Sequence, residues 1–201
     1  MGKVVSEQEL IVRCRERKQD GEKIVFVAGI FELLHPGHVR LLEQARDQGD
    51  VLVAAVLDDA SAREALLAEQ SGTRAINASR PDTRVQATAE RKPKTDAYRR
   101  DAEKVEARGV QRPVTPAAER AEILAALAAV DYAVEIGIDS LPELLAQLRP
   151  DVVVENAEPS SPALVAEAAE RAGVELVRIA SEPGHSTAGI IERIVQLSGS
   201  E

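Results

Sequence analysis

Aromatic residues are almost missing from this 201-residue chain: it has no tryptophan, two phenylalanines and two tyrosines. With 44% hydrophobic residues, the core must be built from Val, Ile, Leu and Ala, a composition that suits parallel strands covered by helices. Cysteine is scarce too. Cys14 is alone, which excludes an intramolecular disulfide, and its charged, amphipathic surroundings supply no base or metal that would make it reactive. No apolar run approaches a membrane span and no apolar signal region opens the sequence, so a soluble, cytoplasmic protein is expected, with no membrane partner. A net charge of −9 argues against a general nucleic-acid binder, which needs a basic face.

What is present is a regular alternation. Polar residues alternate with Leu10, Ile11, Val12 and Cys14 at a helical period, giving an N-terminal helix at about 6–19 that Asp20-Gly21 closes. Strand-like runs follow at 24–27, 51–57, 132–136, 152–155 and 174–179. Helical patterns occupy 39–48, 116–130, 141–148, 162–172 and 187–197. This alternation predicts an α/β fold: one parallel sheet with right-handed crossovers and helices on both faces. The length suits a single domain over 1–201 whose core needs no staples. Asp50, Asp131 and Asp151 each precede a strand, which reads as ordinary loop chemistry.

One stretch, about 61–111, breaks the rhythm. Eleven basic against eight acidic residues give it +3, while the remainder carries −12. So long a structureless loop is improbable in a compact domain. Segments 62–70 and 95–108 look helical, so an inserted helical excursion is expected, either covering an anionic ligand or serving as a solvated charged lid.

The chemistry concentrates in Gly29-Ile30-Phe31-Glu32-Leu33-Leu34-His35-Pro36-Gly37-His38. An apolar run enters it and an amphipathic run leaves it, so a buried strand passes through a tight turn into a helix. Helix N-termini present unpaired N–H groups and a partial positive charge, which attract phosphate. Two of the chain's three histidines stand at i and i+3 there, able to add directed hydrogen bonds to a phosphate whose charge rearranges in a reaction. The alternative is a helix cap with two incidental histidines.

These residues resemble the cytidylyltransferase-like nucleotidyltransferases, whose signature is a strand, Gly-x-Phe-Asp, then His-x-Gly-His opening a helix. Within that superfamily the chain is most similar to the adenylyltransferases that activate heptose 1-phosphate. The likeness rests on blocks 25–46, 49–60, 112–136 (Arg112-Pro113-Val114-Thr115-Pro116, then Glu119-Arg120) and 151–194 (with Ser186-Thr187). It implies a Rossmann-like five-stranded sheet of order 3-2-1-4-5 with the nucleotide at the carboxyl ends of the strands. It also implies transfer of a nucleoside monophosphate, AMP favoured over CMP, from ATP or CTP to a sugar phosphate or similar phosphorylated acceptor. Pyrophosphate leaves, Mg²⁺ accompanies the triphosphate, and a homodimer is expected. By this resemblance His35 and His38 are catalytic, holding the α-phosphate. Gly29, Phe31, Glu32, Gly37, Ser186 and Thr187 are nucleotide-binding, with Gly29 allowing close approach and Ser186 either capping the last helix or touching phosphate. Arg112 and Arg120 bind the acceptor phosphate; alternatively Arg112 anchors a turn and Arg120 pairs with Glu119 or Asp131. His185 reads as a polar loop residue, and no protein-held metal is expected.

The pattern is broken in three places. Glu32 replaces the family's Asp, Ala28 replaces Thr or Asn, and Glu155-Asn156-Ala157-Glu158-Pro159 stands where the heptose enzymes carry Lys-Gly-Gly-Asp-Tyr. The last change reverses a charge near a polyanion. Either arginines of the insertion (Arg74, Arg80, Arg84, Arg91) replace that lysine, or the chain is a catalytically impaired relative acting as a nucleotide-binding or regulatory module. An aminoacyl-tRNA synthetase would need a lysine-rich catalytic loop and an RNA-binding module. A nicotinamide oxidoreductase would need Gly-x-Gly-x-x-Gly after the first strand. Neither is present.

Overall fold

A computed structural model describes residues 2–70, 85–86, 111–156, 163–180 and 185–198. Five strands form where the apolar runs predict them: β2 (Ile24–Gly29), β3 (Val51–Leu57), β5 (Tyr132–Ile136), β6 (Val152–Asn156) and β7 (Glu175–Ile179). Two-residue strands β1 (Lys3–Val4) and β4 (Val85–Gln86) extend the edges, making a seven-stranded sheet of order β1-β5-β3-β2-β6-β7-β4. All its pairs are parallel. The central five reproduce the expected 3-2-1-4-5 order. The two additions are too short to leave a period in the sequence.

The helices are α1 (Glu7–Gln19), α2 (Pro36–Arg46), α3 (Asp59–Gln70), α4 (Ala117–Ala125), α5 (Leu141–Leu148), α6 (Ala163–Ala172) and α7 (Thr187–Ser198). Ser6 caps α1 by accepting from the Glu9 amide, and Gly21 adopts φ +83° just beyond it, as the Asp20-Gly21 pair predicts. The two faces of the sheet carry separate cores. Leu10 and Cys14 of α1, the four leucines of α5, and Val165, Ala168 and Ala169 of α6 pack on Ile24, Phe26, Val53, Ala55 and Val153. Leu41, Leu42 and Ala45 of α2 with Ala117, Ala121 and Leu124 of α4 pack on Val25, Val27, Ala54, Val56 and Val154. Alternate residues of a strand face opposite sides, so β2 and β3, covered on both faces, are apolar nearly throughout. Burial pushes the Cys14 thiol up to about 12, which confirms an inert core residue.

The aspartates before the strands do more than turn the chain. Asp50 accepts from the Lys23 amide at 2.9 Å, Asp151 from Ile24 at 2.7 Å, and Asp131 from Leu52 at 2.8 Å. Each carboxylate ties its own strand to an amide at the start of a neighbour, fixing register at the amino ends. The carboxyl ends are left to the long loops. Of the insertion, α3 confirms the helical reading of 62–70. The segment 95–108, Arg74, Arg80, Arg84, Arg91 and Glu158 lie outside the described residues.

Candidate active site

Between β2 and α2 the backbone makes two left-handed steps without glycine, at Phe31 (φ 51°) and Leu33 (φ 47°). Such residues cost about 1–3 kcal/mol each and persist only where the surroundings fix them. Four contacts do so here. Glu32 is 2% exposed, and its carboxylate accepts from the Arg112 guanidinium and, at 3.0 Å, from the Val114 amide. Thr187 donates its hydroxyl to the Glu32 carbonyl at 3.0 Å. Arg120, 1% exposed, donates to the carbonyls of Ile30 and Thr115 at 2.5 and 2.8 Å and to the Asp59 carboxylate at 2.6 Å.

The turn so fixed presents the histidines. His35 is the N-cap residue of α2 with Pro36 at its first position, yet its side chain caps nothing. The His35 and His38 rings stack with centroids 3.9 Å apart and planes 22° from parallel. Phe31 packs its ring edgewise on His38 at 5.6 Å. Gly37 is required between them: a Cβ there would fall 2.9 Å from His35 Cε1 and 3.3 Å from the His185 carbonyl oxygen. Burial, then His35, pushes His38 down to about 3, while burial, then His185, lowers His35. Stacked this closely, the rings are neutral at neutral pH. The Nδ1 atoms of both are buried with no hydrogen-bond partner among the described residues. Two unpaired imidazole nitrogens beside a helix N-terminus make a place for phosphate oxygens.

The other predicted site residues fall into two groups. Gly37, Ser186 and Thr187 gather with the histidines at the carboxyl end of the sheet. Ser186 caps α7, accepting from the Gly189 amide at 3.1 Å. Gly29, Phe31, Glu32, Arg112 and Arg120 lie beneath them. Gly29 makes room for the Phe31 ring, which a Cβ would meet at 3.2 Å. Arg112 and Arg120, expected to grip an acceptor phosphate, have buried guanidiniums that pair with Glu32 and Asp59 respectively. Arg120 pairs with neither Glu119 nor Asp131. Sequence reading missed Asp59, whose only signal was its place two residues beyond the carboxyl end of β3.

Glu155 is resolved as well. It stands in register with Arg178 on β7, which donates to it at 2.9 Å. Burial pushes its carboxyl up and Arg178 opposes the shift. The reversed charge is therefore matched by a cation in the adjacent strand. Parallel register was the missing signal, because it aligns residues 23 positions apart. Ala28 packs into the core.

Residues 26–103 match the family model described as cytidylyltransferase-like, a span that includes β2, the histidine turn, α2 and β3. Over that span the chain is similar to the cytidylyltransferase-like family. Curated relatives include the Bifunctional protein HldE of Pseudomonas aeruginosa, 32% identical over 96% of this chain but only 32% of its own length. That of Acidiphilium cryptum is 33% identical over 96% of this chain and 31% of its own length. The chain thus spans about a third of the curated relatives it matches. The lipopolysaccharide core biosynthesis protein of Thermoplasma volcanium shares the fold, with a TM-score of 0.53 over 81% of this chain and 99% of that one at 19% identity. Among the described residues no helix is long and apolar enough to cross a membrane.

Proposed function

We propose that the protein is a nucleotidyltransferase that moves a nucleoside monophosphate, AMP in preference to CMP, from a triphosphate to a phosphorylated sugar or similar acceptor. The single observation that carries this reading is the stacked His35–His38 pair, with unpartnered Nδ1 atoms at the uncapped start of α2. An acceptor phosphate oxygen attacks the α-phosphorus as the bond to the bridging oxygen breaks and pyrophosphate departs. Charge gathers on the equatorial oxygens of the five-coordinate phosphorus. Neutral imidazoles held in place before substrate arrives can donate N–H bonds to those oxygens without reorganising. Such reactions need positioning and charge stabilisation more than covalent help. The layer of Glu32, Arg112 and Arg120, with the half-buried Asp59, supplies the positioning.

Mg²⁺ enters this scheme with the triphosphate. In this reading its ligands are phosphate oxygens of the triphosphate. The relatives' names give no acceptor; a sugar phosphate follows from the resemblance of the Arg-Pro-Val and Ser-Thr blocks to heptose-activating enzymes. A soluble cytoplasmic homodimer belongs to the same reading. The rival, an impaired nucleotide-binding module, rests on the replaced segment 155–159 and on Ala28; the pairing of Arg178 with Glu155 speaks for the transferase reading.

The test is pyrophosphate release with ATP or CTP, Mg²⁺ and a panel of sugar phosphates, alongside thermal shift with each triphosphate. At least one triphosphate should raise the melting temperature. His38→Ala should lower turnover at least about hundredfold while leaving the fold intact. Turnover unchanged in that variant would remove the histidine assignment.

A further inference from the structure

The third histidine lies outside the expected pair, yet the fold brings it to the same place. His185 directly precedes Ser186, the cap of α7, and its carbonyl oxygen sits 3.3 Å from where a Gly37 side chain would begin. The starts of α2 and α7 are therefore in contact. The His185 ring is close enough to His35 to disfavour its protonation. Thr187, two residues on, is tied to the Glu32 carbonyl, so the histidine turn and the start of α7 move as one piece. Every imidazole in the chain thus collects at the meeting point of two helix N-termini, within a protein of net charge −9.

We propose that His185 is a third ligand of the phosphate site, donating a hydrogen bond to the phosphates that leave as pyrophosphate. This rests on the transferase reading above and adds a residue to it. With the α-phosphate at His35 and His38, a phosphate chain crossing to the start of α7 reaches His185, Ser186 and Thr187. When the bond between the α-phosphorus and the bridging oxygen breaks, its electron pair stays on that oxygen. An N–H donor from His185 steadies the charge that gathers there, and no proton need transfer.

Calorimetric titration with magnesium pyrophosphate tests the assignment. His185→Ala should weaken binding about tenfold, and His185→Gln, which keeps an N–H donor, should recover much of it. Melting temperatures of both variants should match the native protein; if the alanine variant is less stable, the glutamine variant and its recovery decide. Equal affinity in native protein and His185→Ala, or equal weakening in both variants, overturns the role of His185 and leaves the transferase reading standing. Failure of the native protein to bind pyrophosphate overturns both.

Discussion

Two helix entrances meet at the site, and they are finished in opposite ways. At α7 the Ser186 hydroxyl takes up the Gly189 amide, an ordinary side-chain cap. At α2 the N-cap residue is His35, whose side chain satisfies no amide and leaves Nδ1 without a partner among the described residues. An uncapped, partly buried helix start forfeits local stability, and here the deficit is covered from below. Arg120, Glu32 and Thr187 hold the preceding turn through backbone carbonyls and a buried ion pair. The α7 entrance is secured by its own sequence; the α2 entrance is secured by distant residues and keeps its polar atoms for a ligand.

Arg120→Met should expose that dependence most strongly. It leaves the Ile30 and Thr115 carbonyls unpaired and Asp59 alone, so the stability loss in urea should be on the order of 3 kcal/mol. A loss below 1 kcal/mol would mean the turn holds its shape unaided. Gly37→Ala sharpens the contrast, because the new methyl displaces the His35 ring while the core stays untouched. Turnover should fall at least about tenfold with the melting temperature nearly unchanged, and retention of full activity would show that the stacked geometry is not the working one. Ser186→Ala should cost about 1 kcal/mol, the ordinary worth of an N-cap, and no more. A much larger loss would make the two entrances alike.

The histidine pair can also be probed through pH. His38 titrates near 3 in the folded protein and near 6.5 when unfolded. Between those values the unfolded chain binds more protons, so the contribution of His38 to stability is full above about 6.5 and declines as pH falls toward 3. Urea midpoints measured at pH 7, 6 and 5 should decrease in that order, and His38→Phe should flatten the trend. An identical slope in both proteins would assign the acid sensitivity elsewhere.

The sheet order and the place of the histidines were legible in the sequence because each rests on a local pattern. Apolar runs at 51–57 and 152–155 mark strands buried on both faces, and a strand–glycine–histidine–helix sequence marks one turn. The supporting layer was not legible. Arg120 and Asp59 are 61 residues apart, and Glu32 and Arg112 are 80 apart. No local period links them, so the carboxylate partners of the two guanidiniums were invisible in the sequence. Glu155 was legible only in part: its charge was visible, while Arg178 becomes its neighbour only through parallel register.

The three aspartates at the amino ends of the strands have a consequence for how this fold can change. Alignment of β2 with β3 and β6, and of β3 with β5, is written on the rim away from the chemistry. Loops on the opposite rim can then lengthen, lose glycines or exchange charges between strands without shifting any strand along its neighbour. New acceptors can be tried at one rim while the other keeps the template unchanged.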